Sequence, residues 1–227
     1  RILGRDPWMV PQRTLAPSWS PDSRWVAFAA RLDTMYRAIV VANVATGEQR
    51  QITDGLADAM YPVWDASGKF LWFLASTDLG LRSQWLDMTS YERLQTFGLY
   101  VVVLRKGEPS PVLPQSDEDA GVGATVEPTP LVASAAPVTI DFDGLQQRVV
   151  AVPGVPERQY SRLGAGVPGT VFYLEAPPVA ERGGAAPPPG ATLLRYRLSE
   201  RSAATFAASV ADYAVSADGK KLAFRTP

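Results

Sequence analysis

Apolar residues in this chain come in short runs divided by polar turns, and the pattern recurs. Pro17–Phe28, Pro62–Phe73 and Tyr213–Phe224 align without gaps. Each reads as a short apolar stretch, a polar turn and a second apolar stretch. The turns carry Asp22 and Asp218, whose carboxylates can fold back onto nearby backbone N–H groups, and Gly68 and Gly219, which tolerate a positive φ. That combination predicts a β-hairpin. A second hairpin follows the first. Ile39–Ile52 aligns with Leu99–Val112 and, more loosely, with Leu193–Phe206. Here a long apolar strand leads into a short polar outer strand, through a Gly-Glu turn in the first two copies (Gly47-Glu48 and Gly107-Glu108).

Two hairpins in tandem make a four-stranded meander, and a meander returning roughly every 45 to 60 residues is the blade of a β-propeller. The predicted class is all-β: a partial propeller of about four blades over 1–227. The blades are expected near 15–54, 59–114 and 138–209, with an incomplete one at 212–227. The third is the least regular, running through Arg148–Pro153, Thr170–Glu175 and Leu193–Phe206. Continuous apolar strands such as Trp25–Phe28 and Phe70–Leu74 suit sheets buried on both faces between neighbouring blades. Pro109 and Pro111 fit an outer edge strand. Trp19 and Trp64 fall at equivalent places and are expected to pack between blades.

Three excursions interrupt the pattern. Residues 77–97 split the second blade, and Trp85, Met88, Tyr91 and Leu94 recur every third residue. Such spacing suits either one face of a short helix or a loop packed on its own blade. Segments 115–137 and 176–191, rich in Ala, Gly and Pro, read as flexible surface insertions. Gly164–Gly169 matches G-x-G-x-x-G, but Pro168 and a strand-like run follow where a dinucleotide site needs a helix, so a hairpin turn is expected. Asp141 and Asp143 alternate and would face one way in a strand, as a Ca²⁺ site could use, although a structural turn is the expected role.

Composition narrows the chemistry. The chain has 227 residues, no histidine and no cysteine. A Ser-His-Asp triad, a His or Cys metal site and thiolate catalysis therefore cannot be assembled from it alone. The sequence nominates no catalytic, cofactor-binding or metal-binding residue, and its substrate-binding residues are not legible. With 22 basic against 23 acidic residues, neither a nucleic-acid groove nor a polybasic membrane patch is expected. No apolar run approaches the roughly 20 residues that span a bilayer. Cysteine usage fits cytoplasm and periplasm alike. The start at Arg1 and the end at Pro227 both look cut, so a piece of a longer chain is expected.

The motif at Trp19–Phe28 resembles the repeat shared by TolB, prolyl-oligopeptidase-type propellers and tricorn-type peptidases. Trp85–Tyr91 with Gly98–Leu113, Ile140–Pro153 and Asp212–Phe224 resemble the tricorn-type family more specifically. That resemblance implies consecutive blades of a second, seven-bladed propeller in a serine peptidase of the S41 type. It also implies PDZ and catalytic domains downstream in the same chain, a homo-oligomeric parent, and unfolded peptides as the substrate that the propeller admits. The nucleophilic Ser and the His of that family lie in the downstream core, so no residue here inherits a catalytic role. Two other readings stay open: a TolB-like propeller that binds a protein partner, and the propeller cap of a prolyl oligopeptidase.

Overall fold

A computed structural model describes residues 2–4, 15–78, 95–113, 137–177 and 189–227. The helical spacing of Trp85, Met88, Tyr91 and Leu94 lies outside these residues, as does most of the two Ala/Gly/Pro-rich insertions. Among the described residues fourteen strands form three four-stranded antiparallel sheets and one hairpin, each in simple meander order. The first sheet is β1 (Ser18–Trp19), β2 (Trp25–Arg31), β3 (Arg37–Asn43) and β4 (Gln49–Gln51). The second is β5 (Asp58–Trp64), β6 (Phe70–Ser76), β7 (Gly98–Val103) and β8 (Val149–Ala151). The third is β9 (Tyr160–Ala165), β10 (Thr170–Glu175), β11 (Ala191–Arg197) and β12 (Ser202–Val210). The hairpin β13 (Asp212–Val215) and β14 (Leu222–Arg225) opens a fourth.

The three aligned hairpins share one register. Trp19 faces Val26, Trp64 faces Leu71 and Val215 faces Leu222. The sheets then fan out face to face. Along β6 every residue is buried, but alternate side chains serve different cores. Leu71, Phe73 and Ala75 meet Ala27, Ile39 and Val41 of the first sheet. Phe70, Trp72 and Leu74 meet Val171, Tyr173 and Tyr196 of the third. The period of two along a strand thus distributes one apolar run between two neighbours, which is what a blade requires. First strands approach first strands, β1 to β5, β5 to β9 and β9 to β13, while no two of β4, β8 and β12 approach one another to that extent. The first strand of each sheet is therefore innermost.

One boundary differs from the sequence reading. The outer strand of the second sheet is Val149–Ala151, paired with Val102–Tyr100, and not the segment at 108–112 that ends the expected blade at 114. Pro109 and Pro111 are two residues apart, so both would turn the same edge toward β7, and neither has an N–H to donate. β7 ends at Val103 and the fourth strand of this sheet begins at Val149, which takes Arg148–Pro153 out of the third blade.

The returning segment lies across the first two sheets. The Val138 N–H donates to Asp22 Oδ2 at 2.7 Å, and Phe142 packs against Trp25 at 5.9 Å and under the Arg50 guanidinium at 5.7 Å. Arg148 anchors the end of the segment through the carbonyls of Val103, Asp143 and Asp141. Trp64 is buried between the first and second sheets as expected. Trp19 is 59% exposed. It stands on the face of the first sheet that turns away from the second, where Leu3, Leu15, Ala30 and Val44 are the partly buried residues packed among those described.

Candidate functional site

The innermost strands carry an irregularity that their sequences do not advertise. In the second sheet the β5–β6 register shifts between Met60 and Val63, and in the third the β9–β10 register shifts opposite Tyr173. In the first, the Ala29 N–H reaches the Leu15 carbonyl at 2.9 Å while Ser18 faces Ala27, so the same extra residue is present. All three bulges hold a non-glycine residue in left-handed backbone at the equivalent place: Ala16 at φ 38°, Tyr61 at φ 53° and Arg162 at φ 53°. Each such residue costs about 1–3 kcal/mol and persists only because its surroundings fix it. In the fourth hairpin the equivalent position is Asp212, which pairs with Arg225 in an unbroken ladder.

The innermost strands β9 and β13 are locked to one another at the third of these bulges. The Tyr213 hydroxyl of β13 reaches the Arg162 carbonyl and, at 2.8 Å, the Phe172 carbonyl. Burial holds its phenol far above the ordinary range, so it stays a neutral donor. Gly164 makes room for it, since a Cβ there would lie 3.0 Å from the Tyr213 hydroxyl oxygen and 3.1 Å from its ring. Arg162 also pairs with Asp212 Oδ1 at 2.9 Å across the same junction. Between β9 and β13 runs an open groove lined by Arg162, Gly164, Ala165, Tyr213, Ala214 and Val215.

The glycine motif at 164–169 is the hairpin turn between β9 and β10, closed by Gly166 N–H to Thr170 O and Thr170 N–H to Val167 O, both 2.9 Å. Its glycines serve packing. Gly164 seats Tyr213, and Gly166 lies where a Cβ on Gly219 would come within 2.5 Å of its backbone. Gly169, at φ 73°, presents its N–H to Asp65 Oδ2 at 2.8 Å. Because the first-hairpin turns of successive sheets meet in this way, they share one end of the molecule. The excursions at 79–94 and 178–188, which leave from the opposite ends of β6 and β10, both start at the other end.

At that other end Asp58, fully buried, accepts the Arg37 N–H at 2.9 Å and the Arg37 Nε at 2.7 Å on Oδ1, and Gln95 Nε2 at 3.0 Å on Oδ2, where the Arg37 Nη2 also pairs. The first excursion is clipped at its base, where Asp78 accepts the Thr96 N–H at 3.0 Å and its hydroxyl at 2.9 Å.

Asp141 and Asp143 are not in a strand. Asp141 Oδ2 accepts the Lys106 N–H at 2.7 Å, and Asp143 pairs with the Lys106 ammonium, which holds its carboxyl below the ordinary range. Both serve the turn after β7. Among the described residues no three or more His, Cys, Asp or Glu side chains gather as a metal site. No helix among them is long and apolar enough to cross a membrane. The bulges escaped sequence reading because Ala, Tyr and Arg are not residues that mark left-handed backbone.

Comparison with known proteins agrees with this architecture. The crystal structure of the tricorn protease superposes with a TM-score of 0.66 at 19% identity, covering 100% of this chain and 21% of that one. TolB from Acinetobacter baumannii gives 0.51 at 17% identity, covering 94% of this chain and 38% of its own. At such identities the likeness is one of fold, and this chain spans about a fifth of the tricorn protease's length. No curated protein matches it. The model of the tricorn protease second beta propeller domain matches residues 12–227, and the chain belongs to that family, as a segment of β-propeller.

Proposed function

We propose that this chain is a non-catalytic segment of a tricorn-like serine peptidase, serving substrate access and domain assembly, with its innermost strands lining a channel for unfolded peptide. One observation carries the reading. Each of β1, β5, β9 and β13 lies at the end of its sheet order, so among the described residues one edge of every innermost strand is free of ladder bonds. Free N–H and C=O groups on an inner edge suit an extended main chain of any sequence. They do not suit a folded domain, whose own backbone groups are already paired. The PDZ and catalytic domains belong, on this reading, to the same longer chain, and the acyl-transfer chemistry to residues outside 1–227.

The test compares cleavage of one protein in folded and in permanently unfolded form by the full-length enzyme. Strong preference for the unfolded form is expected, to be reduced by bulky substitutions along the inner strands. Equal rates on both forms would remove the gating role and leave a binding scaffold.

A further inference from the structure

We propose that the groove between β9 and β13 is a subsite for a carboxylate carried by the extended peptide, with Arg162 as the residue that binds it; this rests on the channel reading above. The argument starts from three equivalent bulge residues. Tyr61 has a packing reason for its side chain, since it lies against the core between the second and third sheets. Ala16 has almost no side chain to place. Arg162 is different: it is exposed, it joins no apolar cluster, and it sits in a backbone conformation that glycine would adopt without strain. Packing therefore does not account for a guanidinium at this position.

Its ion pair does not account for it either. The Arg162 and Asp212 side chains are 51% and 41% exposed, and a pair so open to water adds little to stability. A guanidinium carries five N–H donors in a planar fork. Asp212 is its side-chain partner among the described residues and is met by one nitrogen. Arg162 lines a groove whose other walls are Leu163, Gly164 and Ala165 on one side and the strand Tyr213–Val215 on the other. Gly164 adds no side chain to the first wall, and Tyr213, the other titratable group facing the groove, stays neutral. An extended peptide lying along the inner edge would present its carboxylate to a fork suited to take both oxygens. The carboxylate can come from an acidic side chain or from the chain's own C-terminus.

The experiment is fluorescence anisotropy on the full-length protein with three labelled peptides of one neutral sequence. One has an amidated C-terminus, one a free C-terminal carboxylate, and one an amidated C-terminus with a single internal aspartate. At least one carboxylate peptide is expected to bind about tenfold tighter than the neutral one, and which of the two gains identifies the source. Arg162→Gln should bring that peptide to the neutral level. Asp212→Asn keeps the Oδ1 acceptor for the Tyr213 N–H, which it meets at 2.7 Å, and relaxes the competing charge. It should tighten the carboxylate peptide further, which a merely structural arginine would not do. If the neutral peptide binds and carboxylates add nothing, or if Arg162→Gln leaves the preference intact, the subsite is wrong while the channel stands. If no peptide binds at all, the channel reading falls and the subsite with it.

Discussion

The turns of the second and fourth sheets use the same residue types in opposite order. Asp65-Ala66-Ser67-Gly68 joins β5 to β6, and Ser216-Ala217-Asp218-Gly219 joins β13 to β14. Locally they are alike: in each a serine hydroxyl meets the aspartate at 2.5 Å, and the glycine N–H closes the turn. What differs is where the second carboxylate oxygen goes. Asp218 stays at the surface with its bonds inside its own turn. Asp65 is fully buried, and its Oδ2 accepts the Trp72 indole N–H at 3.2 Å and the Gly169 N–H of the next sheet at 2.8 Å. The Asp65 turn thus doubles as a bond between blades. The first turn, with Asp22 at the later position, reaches its neighbour through Val138 instead.

Breaking this contrast should give effects graded by how many donors are stranded. Asp65→Asn replaces an acceptor with an NH₂ group facing two buried N–H donors, and about 3 kcal/mol or more should be lost in denaturant unfolding. At the third junction no turn carboxylate bridges the sheets; the Tyr213 hydroxyl does, beside the exposed Arg162–Asp212 pair. Tyr213→Phe should cost about 1–2 kcal/mol by leaving the Arg162 and Phe172 carbonyls without the hydroxyl.

Asp22 sharpens the comparison through pH. Partial burial raises its carboxyl, but the Ser20 hydroxyl and the Val138 and Arg24 N–H groups outweigh that and hold it below its ordinary 3.8. A group depressed on folding contributes above its unfolded value and loses that contribution as pH falls through the folded one. The stability gap between the protein and Asp22→Asn, about 1 kcal/mol at pH 6, should therefore close below pH 4. Asp218→Asn should give the smallest change, a midpoint close to that of the unaltered protein. A loss there as large as for Asp65→Asn would refute the distinction between the two turns.

The features legible in the sequence were those that local chemistry fixes. Aspartate and glycine mark the three hairpin turns, and the continuous apolar run at Phe70–Leu74 announces a strand buried on both faces. The end of the second sheet was not legible. Gly107-Glu108 copies the turn at Gly47-Glu48, and only the prolines beyond it argue against a strand. Val149–Ala151 is too short and too exposed to identify its partner. The candidate site was hidden for another reason: a bulge is a property of how two strands meet, and Arg162 looks like any surface arginine until β13 is placed beside it.

The late return of β8 has a consequence for how the molecule is made. In the first sheet the third and fourth strands are joined by the short turn Val44–Glu48, whereas Leu104–Arg148 separate β7 from β8. Closing the longer connection costs only about 2 kcal/mol more in chain entropy, because that cost grows with the logarithm of length. Time is the larger matter. As the chain leaves the ribosome at about 5–20 residues per second, β7 waits several seconds with its outer edge unpaired. Through that interval the outer edge of β7 is open to mispairing, and the Val138–Arg148 segment, which packs across the first two sheets, arrives just ahead of β8.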